Sequence, residues 1–357
     1  MPDMRFAPPP ALRIHTQTGG LNSMSVRSAN ERLILSLLVQ HGAMSRMELG
    51  KHSGLSAQTI SVIVRALQRD GLIIAGEAQR GRVGPPTIPV ALNPEGAFGL
   101  GVSLQPHGID TVLIGLTGTV AYRMHQSVAA DDDPLIALES AVSNALGRLD
   151  AAQSERLAGL GLALPTDPGA WTEALDDGEL LETRLSGETG LPVYIQNGVT
   201  AAAGAESVFG AARDVSDYVF VHVGALTEFR LVLQNRVHAG ATPSNRAPSL
   251  GDLASFAGGI RAAGTLEWSD EVDDATASWI DRGAREISAR VEELSTFVQV
   301  KDLLVAGLPP AGIRNRLVAQ LQALLPQITV ASGHVADDST AVGAATLALT
   351  GRYLLRE

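Results

Sequence analysis

Two stretches of this sequence hold residues whose types and spacing could do chemistry. In residues 56–69, SAQTISVIVRALQR, the side chains of Ala57, Gln58, Thr59 and Ser61 follow Ser56 at the start of an amphipathic run, and Arg65 and Arg69 come after them. An amide such as Gln58 can make two hydrogen bonds to adenine, and the methyl of Thr59 can touch thymine. Guanidinium groups suit phosphate oxygens, which fix register rather than sequence. In residues 193–206, VYIQNGVTAAAGAE, an apolar run ends at Gln196, Asn197 and Gly198 follow, and an alanine-rich segment begins. Ligands in α/β folds sit beyond the C-terminal ends of strands, where a strand turns into a helix. Gly198 brings no side chain to that place. Asn197 can cap the helix or touch a ligand.

The elements needed to position the first set can be read from the pattern around it. Leu33, Ile34, Leu37 and Leu38 recur at helical spacing, and Gly42 ends that helix. Ser45 with Glu48 three residues on is a capping box for a short second helix that stops at Gly54. Ser56 caps a third helix, with Ile60, Ile63, Val64 and Leu67 facing inward and Gly71 at its end. LIIAGE and TIPVAL then form a strand pair around QRGRVGPP, which carries Arg80 and Arg82. Helix, short helix, glycine turn, helix and basic hairpin is the winged helix-turn-helix pattern. It puts the third helix in the major groove, gives Arg46, Arg65 and Arg69 to phosphates, and gives Arg80 and Arg82 to phosphate or minor groove. A small helical protein-interaction module is the competing reading of the same helices.

Charge supports the nucleic-acid reading. Residues 1–92 hold ten basic and five acidic residues, a balance of +5, while the whole 357-residue chain carries −11, so the rest carries −16. A basic head on an acidic body points to a nucleic-acid partner for the head alone. There is no cysteine, which excludes disulfides, thiolate nucleophiles and cysteine zinc sites. The histidines show no metal-ligand spacing, and no metal or cofactor is expected. No apolar run is long enough to cross a membrane, and MPDMRFAPPPALRIHTQTGG has no apolar signal core, so a cytoplasmic chain with a disordered arm over residues 1–27 is expected.

After Asn93-Pro94-Glu95-Gly96 the pattern alternates. FGLGVSL, IDTVLIGL and TVAYRMHQSV read as strands with a turn at Thr117-Gly118, and a helix follows at 134–150. Next come strand LAGLGLALP, a helix near 180–190, strand LPVYIQ and the alanine-rich helix. From Asp217 the order starts again, with YVFVHVG, EFRLVLQ and RVHAG, a helix over 272–298, strand DLLVAGL, a helix over 311–325, strand ITVASG and a helix over 340–350. Two α/β lobes with a cleft between them follow from this.

Several of these stretches resemble one family. SRMELGKHSGLSAQTISVIVRALQRDGLI resembles the helix-turn-helix of the transcriptional-regulator branch of the ROK family (repressors, open reading frames and kinases). GRVGPP resembles that branch's wing motif GRVGRP, with Pro85 in place of the arginine. TGLPVYIQNGVTAAAGAE resembles the family segment TGLPV…NDANAAAxGE, and VHAGATPSNRAP faintly resembles its RGAxGNAGE loop. The resemblance implies an actin/hexokinase-like (sugar kinase-like) body behind a winged helix-turn-helix domain, a dimeric state, and control of DNA binding by a sugar or sugar phosphate. The domains then fall at 28–92 for the DNA-binding head, 97–194 plus 341–357 for the first lobe, and 195–340 for the second.

Kinases of the family use the aspartate of NDA as general base, and Gly198 stands there. Ser103 replaces the aspartate of the first phosphate loop, HVGALTEF lacks the second glycine-rich loop, and Ala247 or Pro248 falls near the usual sugar-loop glutamate. Phosphoryl transfer needs bound nucleotide, metal and an in-line base, so the body is expected to be catalytically dead. Asn197, Glu206 and Asn245 remain as candidate effector contacts. The expected protein is a repressor of carbohydrate-related genes that binds a double-stranded operator as a homodimer or higher homo-oligomer. The alternatives are an active sugar kinase with a DNA-binding head, and a regulator whose body binds only protein partners.

Overall fold

The computed structural model describes residues 29–76, 88–105, 108–129, 132–166, 178–224, 227–239, 274–335 and 339–355. Arg80, Arg82, Pro85 and Asn245 lie outside them.

The head is built from α1 (Ala29–His41), α2 (Arg46–Ser53), α3 (Ala57–Arg69) and the antiparallel pair β1 (Ile73–Ala75) and β2 (Val90–Leu92). Its helix ends obey the local signals. Ser45 accepts from the Glu48 N–H while the Glu48 carboxylate accepts from the Ser45 N–H at 2.8 Å. That backbone bond, the strongest of several effects, holds the Glu48 carboxyl below its ordinary pKa. Gly54 takes φ +71°, the left-handed conformation that lets the chain turn from α2 into α3. Apolar residues are buried at 34, 35, 37 and 38 of α1, more than one face, because α2 and α3 cover one side and the body covers the other.

The first body sheet has the order β5-β4-β3-β6-β7, from β3 (Phe98–Gln105), β4 (Gly108–Gly115), β5 (Val120–Ser127), β6 (Leu157–Leu164) and β7 (Val193–Asn197). On one face Phe98, Leu100, Val102 and Leu104 pack with α4 (Pro134–Leu146) and α6 (Gly178–Thr189). The helix expected over 134–150 stops at Leu146, and a short α5 (Ala151–Glu155) follows with Asp150 as its cap. The second sheet has the order β10-β9-β8-β11-β12, from β8 (Tyr218–Val223), β9 (Thr227–Leu233), β10 (Arg236–Ala239), β11 (Asp302–Gly307) and β12 (Thr329–Ser332). Its outer face packs with α8 (Asp274–Ser295) and α9 (Ala311–Leu324).

Two helices fill the space between the sheets. α7 (Gly198–Phe209) packs Val199, Ala202 and Ala203 with Tyr218, Phe220 and Val232 of the second sheet. α10 (Ser339–Tyr353) lies on the first sheet so closely that a Cβ on Gly101 or Gly161 would overlap the carbonyls of Ala341 or Ala344. Close approach is what the alternating glycines of FGLGVSL and LAGLGLAL provide. The domain boundary needs one correction. Residues 195–197, assigned by pattern to the second lobe, belong to β7, which pairs in parallel with β6 as far as Asn197 opposite Leu164.

Candidate nucleic-acid interface and inter-lobe cleft

The exposed side of α3 follows from its apolar spacing. Ile60, Ile63, Val64 and Leu67 are buried, which leaves Gln58, Val62, Arg65 and Arg69 on the outside, with Ala57 and part of Ser61. Ser61 and Arg65 make only bonds within the helix, to Ala57 O at 2.8 Å and Ser61 O at 3.1 Å, and Arg69 bonds Asp70 at 3.2 Å. Thr59, also in the expected base-reading set, is less open than Ala57 and Gln58. It is half-buried, and its hydroxyl shares a 2.8 Å bond with Ser56 Oγ, the cap of the helix. Val62, by contrast, is exposed. At 52% exposure it stands one turn on from Gln58 and just before Arg65, and a helical wheel of 100° per residue brings it to this face. Ser45 is buried and works as a cap, while Arg46 is exposed at the start of α2.

The cleft holds a polar cluster drawn from four segments. Asn197 caps α7 by accepting from the Thr200 N–H at 3.1 Å, and the same Oδ1 accepts from Arg230 Nη2 at 2.6 Å. The Asn197 amide donates to Thr166 Oγ1 at 2.7 Å, and Thr166 donates to Glu228 Oε2 at 2.6 Å. Arg230 closes the ring, with Nη2 3.0 Å from Glu228 and Nε donating to Thr200 Oγ1 at 2.9 Å. Glu228 and Arg230 are each only 7% exposed. They are two apart on β9, so strand alternation puts both on the face that meets α7. His222 sits opposite Glu228 in the ladder; burial first, then the Arg230 charge, push its pKa down to about 4. Thr166, Glu228 and Arg230 are missing from the candidates the sequence offers. The one local signal is the opposite charge pair at i, i+2 in TEFRLVL.

At Gly198 an added Cβ would lie 3.2 Å from Thr340 Cγ2. Thr340 in turn bonds Ser103 Oγ at 2.8 Å, and Gln105 donates to both hydroxyls, at 2.9 and 3.3 Å. Glu206 is not at the cleft ligand cluster. It is 0% exposed, and its carboxylate accepts the backbone N–H groups of Ala211, His334 and Val335, tying the end of α7 to the segment after β12. No group of three metal-ligating side chains occurs among the described residues, and no helix among them is long and apolar enough to cross a membrane.

Known proteins share both halves. Residues 27–74 match the winged helix-turn-helix DNA-binding family, and residues 101–245 match the ROK family. The uncharacterized protein y4fQ of Sinorhizobium fredii is 26% identical over 322 residues, covering 82% of this chain and 81% of its own length. The DNA-binding transcriptional repressor Mlc of Escherichia coli is 28% identical over 235 residues, or 61% of this chain and 56% of its own, so the match spans little more than half of that protein. A crystal structure of a ROK family transcriptional regulator, a homolog of the Escherichia coli Mlc protein, has the same fold, with a TM-score of 0.61 and 19% identity over 91% of this chain and 96% of that one. Residues 101–245 thus match the ROK family behind a winged helix-turn-helix match, and the chain has the fold of a ROK regulator, a winged helix-turn-helix domain preceding an actin/hexokinase-like body.

Proposed function

We propose that the protein is a transcriptional regulator that represses carbohydrate-related genes by binding a double-stranded operator through α3. The observation that carries this is the outer face of α3, where Gln58, Val62, Arg65 and Arg69 are presented by two serine-capped helices around a glycine turn. That arrangement suits base edges at the N-terminal end and phosphates further along. The likeness to the repressor Mlc supports the repressing role. A homodimer in the cytoplasm, reading a pseudo-palindromic site, is the arrangement this fold suits, with a sugar or sugar phosphate as effector of the body.

The body acts as sensor or scaffold and not as a kinase. Glycine at 198 supplies no base, and Ser103, Gln105 and Thr340 bond one another at the end of β3, where kinases of the family hold phosphate. Sugar-dependent ATP consumption above background by the purified chain would contradict this.

The DNA reading is tested by direct binding. Gln58→Ala or Val62→Ala should relax base preference at one position of the site, by about 1–3 kcal/mol for the bidentate amide. Arg65→Ala should weaken binding to every sequence and reduce the slope of log affinity against log salt by about 1. A chain that shows no salt-sensitive binding to DNA flanking its own gene is not this regulator.

A further inference from the structure

Arg32 joins the head to the body by a contact that neither the base-reading face nor the cleft uses. It lies in the first turn of α1, and its Nη2 donates to the carbonyls of Gly351 at 2.6 Å and Arg352 at 3.2 Å, in the last turn of α10. Its Nε is buried with no partner among the described residues. The last carbonyls of a helix lack partners within it and carry the negative end of its dipole, so they are a matched site for a guanidinium. Beside this contact the Leu355 N–H donates to Ser36 Oγ at 2.9 Å, and Tyr353 and Leu354 share an apolar cluster with Ile34, Leu37 and Leu38.

A second connection between head and body is also hydrogen-bonded. Asn93 donates its amide to Gly71 O at 2.7 Å, Asn93 N–H bonds Leu72 O at 2.9 Å, and Arg156 reaches Glu95 O at 2.9 Å. The segment from Asn93 to Gly96 is therefore a fitted joint and not a loose tether.

α10 begins in the cleft. Thr340 packs over Gly198 and bonds Ser103, and the helix then runs 15 residues, about 22 Å, to the carbonyls that Arg32 holds. Close contacts of its glycine and alanine residues with β3, β6 and α7 leave little room for bending on the way.

We propose that Arg32 is a positioning residue for DNA binding: it fixes the head on the C-terminal end of α10, so that the orientation of α3 follows α10 and, through it, the cleft. This rests on the DNA-binding reading above. Arg32→Met removes the charged bonds and keeps most of the volume, while Arg32→Lys keeps the charge and one donor group near the carbonyls.

Two measurements on the full chain test it. The chain has no cysteine, so Lys51→Cys on α2 and Thr183→Cys on α6, both exposed, take a spin-label pair that spans head and first lobe. The expected result is one narrow distance distribution in the parent, a broad one with Arg32→Met, and a narrow one again with Arg32→Lys. For DNA, half-sites are first selected from random duplexes with the parent chain, then presented singly or in pairs of varied spacing. Arg32→Met should bind a single half-site within about twofold of the parent, lose about tenfold on the best-spaced pair, and lose its preference among spacings. An unchanged distance distribution with an unchanged spacing profile overturns the proposal. So does an equal loss on single and paired half-sites accompanied by lost amide-exchange protection in α1–α3, since Arg32 would then only hold the head folded. If the parent binds no DNA the DNA-binding reading fails, and the label pair still decides whether Arg32 sets the head.

Discussion

The outer face of α3 and the floor of the cleft are made from the same chemistry, amides, hydroxyls and guanidinium groups, in opposite conditions. On α3 the polar side chains bond within four residues of themselves or face solvent. In the cleft Asn197 reaches 31 residues back to Thr166 and 33 residues on to Arg230, and both members of the Glu228–Arg230 pair are buried. Exposed groups with only short-range bonds can exchange water for a partner at little cost. Buried groups bonded to each other must first lose those bonds, and a ligand has to replace them one for one. The head is thus ready to bind, whereas the cleft is already occupied by its own side chains.

The largest test of this contrast is Arg230→Ala. Among the described residues it leaves the buried Glu228 carboxylate with Thr166 as its partner, and breaking one side of a buried pair should lower the unfolding free energy of the chain by about 3–5 kcal/mol. The double change Glu228→Gln with Arg230→Met should cost far less. Denaturant titration measures both, and a small loss for Arg230→Ala would mean the cleft is wetter than its contacts indicate.

Next in size is a pH effect at His222. Its folded pKa is pushed from 6.5 down to about 4, so between these values the unfolded chain binds a proton that the folded chain does not. Stability is then unaffected by this group above pH 6.5, falls as pH drops towards 4, and loses roughly 3 kcal/mol in all. His222→Gln should flatten the unfolding free energy across that window, and an unchanged slope would remove His222 from the account.

The smallest effect belongs to the head. Ser56→Ala deletes the oxygen that accepts the Thr59 N–H at 3.2 Å and should cost about 1 kcal/mol. Amide-exchange protection in α3 should fall with protection in the body unchanged. A loss that spread through the body would show that head and body unfold together, as the continuous apolar cluster across α1 and α10 permits.

Most of the head was legible in the sequence because its determinants are local. Ser45, Glu48, Gly54 and Ser56 act on neighbours within four residues, and the structure places each at the helix end its type favours. Two features of the same helix were less legible: the Thr59 hydroxyl bonds back to the cap Ser56, and helical phase turns Val62 outward. In the body, periodicity located the strands but left open whether Glu206 is a ligand contact or a structural residue of its helix. The place of Glu206 in the alanine-rich segment allows either role. Its partners, His334 and Val335, lie more than a hundred residues away, and they make it a structural anchor.

The sequence by itself determined the order of elements, the capped helix-turn-helix with its basic balance, and the absence of a side chain at 198, since each depends on residue type and short spacing. The tertiary structure decided what fills the cleft and how the head is held. Thr166, Asn197, Glu228 and Arg230 meet only once both sheets have closed on α7, and Arg32 finds the end of α10 across 319 positions of chain. Contacts of that range depend on where packed layers bring distant segments together, and no local pattern in the sequence records it.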